Sequence, residues 1–106
     1  MAREDSGLES TSGAGFTVQT QQDRAEFYQN YALALLEFKG CVGFDWFKMW
    51  DNDPTDEAGI ANDSSNANGN KGIYSTEYNE WTTLTEAMAK VNNNKYSLIA
   101  FFDARD

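Results

Sequence analysis

One continuous stretch, Cys41 to Asp53, constrains the fold of this chain more than any other part of it. It reads Cys-Val-Gly-Phe-Asp-Trp-Phe-Lys-Met-Trp-Asp-Asn-Asp, contains no proline, and is rich in β-branched and aromatic residues. The turn-forming cluster Asp51 to Pro54 ends it, which predicts a buried strand that delivers polar groups to the edge of a site. A single strand cannot satisfy its own backbone hydrogen bonds, so we expect this chain to be a piece of a larger fold.

A helix is predicted before this strand, over residues 21–39. Thr20 and Asp23 form a pair that resembles a capping box, and Gly40 is suited to a left-handed helix end. The apolar face of the helix is expected to contain Phe27, Tyr31 and Leu35 at helical spacing. The same broad face also includes Tyr28, Ala32 and Phe38. The short connection to the strand is typical of α/β folds.

A second helix is predicted after a long polar loop. Its apolar face has spacings of three, four and three residues and consists of Trp81, Leu84, Met88 and Val91. It should end near residues 92–94, and residues 96–102 favour a further helix, with a strand as the alternative. The loop does not match an EF-hand, because Asp56 stands where glycine is needed and Asn62 where the bidentate glutamate belongs.

Charge and cysteine content exclude several classes of protein. The net charge is −9 with no histidine, which disfavours binding to nucleic acid or to an anionic membrane. Cys41 is the only cysteine, so the chain can form no internal disulfide and no zinc site of the usual Cys/His kind. No metal and no cofactor is therefore predicted. The N-terminal residues lack the apolar region of a secretory signal.

A cluster of aromatic and polar residues at the end of the strand is the candidate site. It consists of Asp45, Trp46, Phe47, Lys48, Trp50, Asp51 and Asp53. The simpler interpretation is that the aromatic residues are core and the acids form turns. The alternative is a sugar-binding rim, in which aromatic rings pack on the C–H face of a pyranose and nearby polar groups bind its hydroxyls. The sequence pattern alone leaves both open.

Several short segments occur in an order that matches a known family. They are residues 4–8, 11–16, 22–24, 27–30, 42–48, 51–54, 70–73 and 96–99. In this order they resemble the C-terminal end of agarase-like glycoside hydrolases, the retaining β-agarase and porphyranase group built on a (β/α)₈ barrel. The resemblance does not discriminate between agarase and porphyranase. Asp45 stands where these relatives more often have histidine.

This resemblance implies an α/β fold, the C-terminal fragment of a (β/α)₈ TIM barrel that fills residues 1–106. The expected parts are a loop (1–19), the penultimate helix (20–40), the last strand (41–50), a substrate-side loop (51–77) and closing helices (78–102). The nucleophilic and acid/base glutamates are expected upstream of Met1, so the chain by itself should be inactive. The implied partners are a galactan and the remainder of the barrel, and the implied parent enzyme is extracellular or periplasmic.

Two other functions are weighed against this one. An independent carbohydrate-binding module would explain the aromatic and acidic residues, but such modules are usually β-sandwiches, and two helical periodicities argue against that. An interaction segment that borrows strands from a partner would explain the single strand. Concentration-dependent folding would favour this last possibility.

Overall fold

The structure, a computed structural model, describes residues 1–10, 15–52 and 69–105. Within these residues it contains three α-helices, α1 (Gln21–Glu37), α2 (Thr82–Asn93) and α3 (Lys95–Ala104). α1 packs against both α2 and α3. None of the three helices in this part of the chain is long and apolar enough to cross a membrane.

The start of α1 agrees with the predicted capping box, but its end does not agree with the predicted left-handed end at Gly40. The Thr20 hydroxyl accepts a hydrogen bond from the Asp23 amide at 3.2 Å, and the Asp23 carboxylate accepts one from the Thr20 amide at 3.0 Å. This reciprocal pair satisfies two amides at the helix start. The helix ends at Glu37 because Phe38 is extended (φ −77°, ψ 110°), and Gly40 does not adopt the left-handed conformation that was predicted for it.

The buried face of α1 is only partly the predicted one, because Tyr28 and Ala32 are buried as expected but the central residues of the predicted face are not. Phe27 and Tyr31 are 38% and 56% exposed. The buried residues of the helix are Gln21, Arg24, Ala25, Tyr28 and Ala32. The polar part of the buried face was not predicted, because burial of Arg24 depends on hydrogen-bond partners far away in the sequence, which helical periodicity cannot reveal.

The hydrophobic core lies between α1 and α2. Its buried members are Tyr28, Ala32, Leu84, Met88 and Val91, with Leu36, Trp46, Trp81 and Leu98 packed against them. The predicted apolar face of α2 is therefore confirmed, because Leu84, Met88 and Val91 are its buried residues. The predicted helix over residues 96–102 is also confirmed as part of α3.

The prediction that residues 41–50 form the last strand of a TIM-barrel fragment is wrong. The described residues contain no strand and no sheet, only isolated bridges that pair Ala2 with Val18, Trp50 with Tyr74, and Tyr74 with Glu80. Within this part of the chain, no backbone hydrogen bond is donated by residues 42–47. Strand propensity describes side chains, whereas a ladder requires a neighbouring backbone, and within the described structure residues 42–47 have no such neighbour.

Candidate functional site

A buried polar network centred on Asn70 joins the segments that surround the candidate site. Asn70 is fully buried. Its side-chain oxygen accepts hydrogen bonds from the Ala2 amide (3.2 Å), Gln21 Nε2 (2.7 Å) and Arg24 Nη1 (2.9 Å). Its Nδ2 donates to Asp51 Oδ2 at 2.8 Å. One side chain thus connects the N-terminal segment, α1 and the end of the 41–52 segment.

Asp51 is the second residue, after Asn70, that joins several parts of this network, and its carboxylate is a hydrogen-bond acceptor. Besides Asn70, its carboxylate accepts hydrogen bonds from the Gly72 amide (2.7 Å) and from Trp81 Nε1 (2.9 Å). The residue is 7% exposed. Burial raises the pKa of Asp51, and the three hydrogen bonds and the charge of Arg24 oppose that rise. Asp51 therefore holds the loop at Gly72 and the start of α2 in place.

Arg24 supplies the positive charge of the network. Its Nη1 donates to Gln21 Oε1 at 2.8 Å, and its Nη2 donates to the Gly72 carbonyl at 2.6 Å. Burial lowers the pKa of Arg24 to about 10, with Asp51 and Asp5 acting in the opposite direction. It remains charged at neutral pH. Its guanidinium also lies 5.6 Å from the ring centroid of Trp46, a cation–π arrangement.

Gly72 is required by the close approach of two backbone segments. A Cβ atom at this position would collide with backbone atoms of Trp50 and Asp51. The Ile73 and Tyr74 amides both donate to the Met49 carbonyl at 2.9 Å, so residues 72–74 lie directly against residues 49–51. A side chain at Gly72 would separate these two segments.

Trp46 is mostly a structural residue in this arrangement. Its Nε1 donates to the Lys71 carbonyl at 3.0 Å, and its ring meets that of Tyr28 edge-on with centroids 5.8 Å apart. The ring also packs against the hydrophobic core. Trp46 therefore couples the core to the segment that follows it.

The next aromatic residues form an exposed rim above the network. Phe47 is 65% exposed and Trp50 is 49% exposed. The Lys71 ammonium lies 6.0 Å from the Phe47 ring centroid, and the Lys48 amide donates to the Lys71 carbonyl at 3.2 Å. Five of the predicted site residues, Trp46, Phe47, Lys48, Trp50 and Asp51, thus lie in this region, and Lys71 contacts three of them.

The remaining two predicted acids are not part of this network. Asp45 is exposed and lines a groove of about 970 Å³ between α1, residues 41–46 and α3. Asp53 lies outside the described residues, as does most of the loop tested for an EF-hand. Among the described residues, no group of three or more His, Cys, Asp and Glu side chains could hold a metal ion.

Sequence reasoning missed the polar residues that organise this region. Arg24 and Gln21 lie on a helix that was expected to bury only apolar residues, and Asn70 lies in an asparagine-rich stretch where no single residue stands out. Arg24 and Asn70 fall in two of the segments that resemble agarase-like enzymes, but their neighbours in the sequence do not indicate their role, because Asn70 contacts residues 19 to 68 positions away.

This geometry can be compared with known proteins. No protein-family model matches the sequence, and no curated protein matches it. The chain superposes on the crystal structure of the glycoside hydrolase BpGH50 with a TM-score of 0.74 and 39% sequence identity. This chain is related to a glycoside hydrolase. The match covers 93% of the chain but only 19% of BpGH50, so the chain spans about a fifth of that protein.

Proposed function

We propose that this chain is the sugar-binding portion of a glycoside hydrolase that cleaves β-galactosidic linkages in agar-type galactans with retention of configuration. The observation that carries the proposal is the 39% identity to BpGH50 over 93% of the chain. The ordered segments that resemble agarase-like enzymes extend it to galactans. The catalytic glutamate pair is assigned to the part of the enzyme that this chain does not span.

The rim at residues 47–50 supports a role in sugar binding. Phe47 and Trp50 present aromatic surface to solvent, and the half-buried Lys48 lies between them in the chain. Lys71 is buried, and its ammonium lies 6.0 Å from the centroid of the Phe47 ring. An aromatic surface with a few polar groups suits the C–H face and the hydroxyls of a pyranose. The Asn70 and Asp51 network holds this rim from below, which reduces the conformational entropy lost on binding.

The charge of the chain favours a neutral galactan over a sulfated one. A net charge of −9 repels sulfate groups at low ionic strength. We therefore expect agarose oligosaccharides to bind more tightly than heavily sulfated galactan oligosaccharides of the same length. The difference should shrink as salt is added.

Affinity electrophoresis tests the proposal. Native gels with dissolved agarose should retard the chain, and Phe47→Ala and Trp50→Ala should reduce the retardation. Phe101→Ala is a matched control, because Phe101 is 58% exposed but lies on α3, and it should migrate like the unmodified chain. Equal mobility with and without agarose would contradict the proposal. Release of reducing ends from agarose oligosaccharides by the chain alone would contradict the assignment of catalysis to other parts of the enzyme.

We also propose that the remainder of the longer enzyme packs against this chain. Val42 is fully exposed and Phe44 is 42% exposed, and the amides of residues 42–47 donate no backbone hydrogen bond within the described structure. Exposed apolar side chains of this kind are suited to packing against another segment of protein. Sedimentation over a hundredfold concentration range should find a monomer; a concentration-dependent dimer would assign the surface to a second copy instead.

The parent enzyme is proposed to be extracellular or periplasmic, where polymeric galactans are available.

A further inference from the structure

The rim residue Trp50 forms a pair with a second exposed aromatic residue, Tyr78, and neither ring belongs to the core. Trp50 is 49% exposed and Tyr78 is 75% exposed. Their ring centroids are 6.3 Å apart and their planes are inclined by 80°. Neither residue belongs to the hydrophobic core or to the residues packed against it. Packing in the hydrophobic core of the described residues therefore does not explain why these two large rings are exposed and adjacent.

Tyr78 is held in an unusual backbone conformation. Its φ is +66°, in the left-handed region that residues with a Cβ uncommonly adopt. The turn that contains it is closed by hydrogen bonds from the Ser75 amide to the Asn79 carbonyl (2.7 Å) and from the Tyr78 amide to the Ser75 carbonyl (3.0 Å). The Ser75 hydroxyl accepts from the Glu77 amide (3.2 Å) and the Asn79 amide (3.1 Å). The backbone thus fixes the direction of the Tyr78 Cα–Cβ bond.

The backbone that carries Trp50 is fixed to the same framework. Tyr74 forms a bridge with Trp50 on one side and with Glu80 on the other. The Asp51 amide donates to the Tyr74 carbonyl at 2.9 Å, and the Trp81 amide donates to the Ile73 carbonyl at 2.9 Å. Both rings are therefore built on one hydrogen-bonded unit.

The polar atoms of this pair are available to a ligand. The indole N–H groups of Trp46 and Trp81 donate to Lys71 and Asp51. Within the described residues, neither Trp50 Nε1 nor the Tyr78 hydroxyl makes a hydrogen bond, so the pair presents two aromatic walls and two free polar groups. A hexose offers the complementary surface, since its C–H face packs on an aromatic ring and its hydroxyls bind an N–H and an O–H.

We propose that Trp50 and Tyr78 form a subsite for one neutral hexose ring of the bound oligosaccharide. This inference rests on the proposed function and adds a second aromatic wall, contributed by the 75–79 turn, to the rim at Phe47 and Trp50. The strained conformation of Tyr78 places its ring where the sugar binds. The ligand class is a neutral galactan oligosaccharide.

Titration calorimetry of the full 106-residue chain with a neutral agarose hexasaccharide tests the subsite. Tyr78→Gly removes the ring while tolerating a positive φ, and Trp50→Ala removes the other wall. Each should weaken binding about tenfold. Tyr78→Phe, which keeps the ring, should stay within about threefold of the unmodified chain. Tyr96→Ala is the matched control, because Tyr96 is 77% exposed on α3, and it should leave binding unchanged.

The outcomes separate this inference from the proposed function. If the chain binds the hexasaccharide and Tyr78→Gly binds it equally well, the subsite is wrong and the proposed function stands. A Tyr78→Phe variant as weak as Tyr78→Gly would overturn ring stacking as the basis of the subsite. If neither the unmodified chain nor Tyr96→Ala binds, while circular dichroism shows both to be helical, the proposed function and the subsite both fail.

Discussion

Replacement of Asp51 by alanine should destabilise the fold more than any exposed acid could. The substitution removes the acceptor for the Asn70 side chain, the Gly72 amide and Trp81 Nε1. Asn70 and Gly72 are buried, so neither of their donors can turn to water. The substitution also leaves the buried Arg24 without the carboxylate that most favours its charged form.

The size of the effect follows from these contacts. Each buried donor left without a partner costs about 1–3 kcal/mol. Two such donors and a buried cation with a weakened counter-charge give an expected loss of about 3–5 kcal/mol in the free energy of unfolding. That is a large part of the roughly 5–15 kcal/mol that stabilises a typical domain. Asp51→Asn keeps the shape but turns an N–H₂ group toward one of the donors, so its loss should be smaller, about 2 kcal/mol.

Urea unfolding followed by far-ultraviolet circular dichroism measures these differences. Asp45→Ala is the control, because Asp45 is exposed and its change should stay within about 0.5 kcal/mol. If Asp51→Ala unfolds within about 1 kcal/mol of the unmodified chain, the network does not hold these segments together. The same conclusion would follow if Asp45→Ala were equally destabilising.

Two further predictions concern the pH dependence of stability and the glycine at the centre of the site. Burial, with help from the charges of Arg24 and Lys71, lowers the pKa of the Met1 amine from 8.0 to about 6. The unfolded chain therefore binds more protons between these values, so stability should rise from pH 6 to pH 8, by roughly 1 kcal/mol after allowance for the partial exposure of the amine. The chain has no histidine to titrate in this window, and N-terminal acetylation should abolish the rise; an acetylated chain with the same pH profile would show that another group is responsible. Gly72→Ala should lower the free energy of unfolding by about 1–3 kcal/mol, because its Cβ meets the backbone of Trp50 and Asp51. Gly43→Ala, with nothing within 4 Å of the added Cβ, is the control, and equal unfolding midpoints for the two variants would refute the close approach.

Local signals in the sequence predicted the helices. The buried face of α1 and the absence of a strand depend on long-range contacts, which local signals do not show. The capping pair at Thr20 and the spacing of Leu84, Met88 and Val91 act within one helix, so they can be read from neighbouring residues. The buried face of α1 depends on Arg24 finding Asn70, which lies 46 positions away. The predicted strand at 41–50 had the right composition, but among the described residues only its end, from Lys48 onward, has a backbone partner, so no sheet forms there.

The candidate site shows the same division. Its aromatic residues were identified from their density in the sequence, and the structure brings residues 46–51 together. The structure separates the aromatic residues into two groups that the sequence does not distinguish, because Trp46 faces the core whereas Phe47 and Trp50 face solvent. Asp51, a predicted ligand of the sugar, has its carboxylate already engaged by three donors.

The most direct measurement is a titration of the ¹⁵N-labelled chain with agarose oligosaccharides, followed through the indole N–H signals. The chain has three tryptophans and so gives three such signals. Sugar binding at the rim predicts that the Trp50 signal shifts most, while that of Trp81, whose N–H donates to Asp51 at 2.9 Å, stays nearly constant. A saturating oligosaccharide that moves no indole signal, or moves only that of Trp81, would contradict the account.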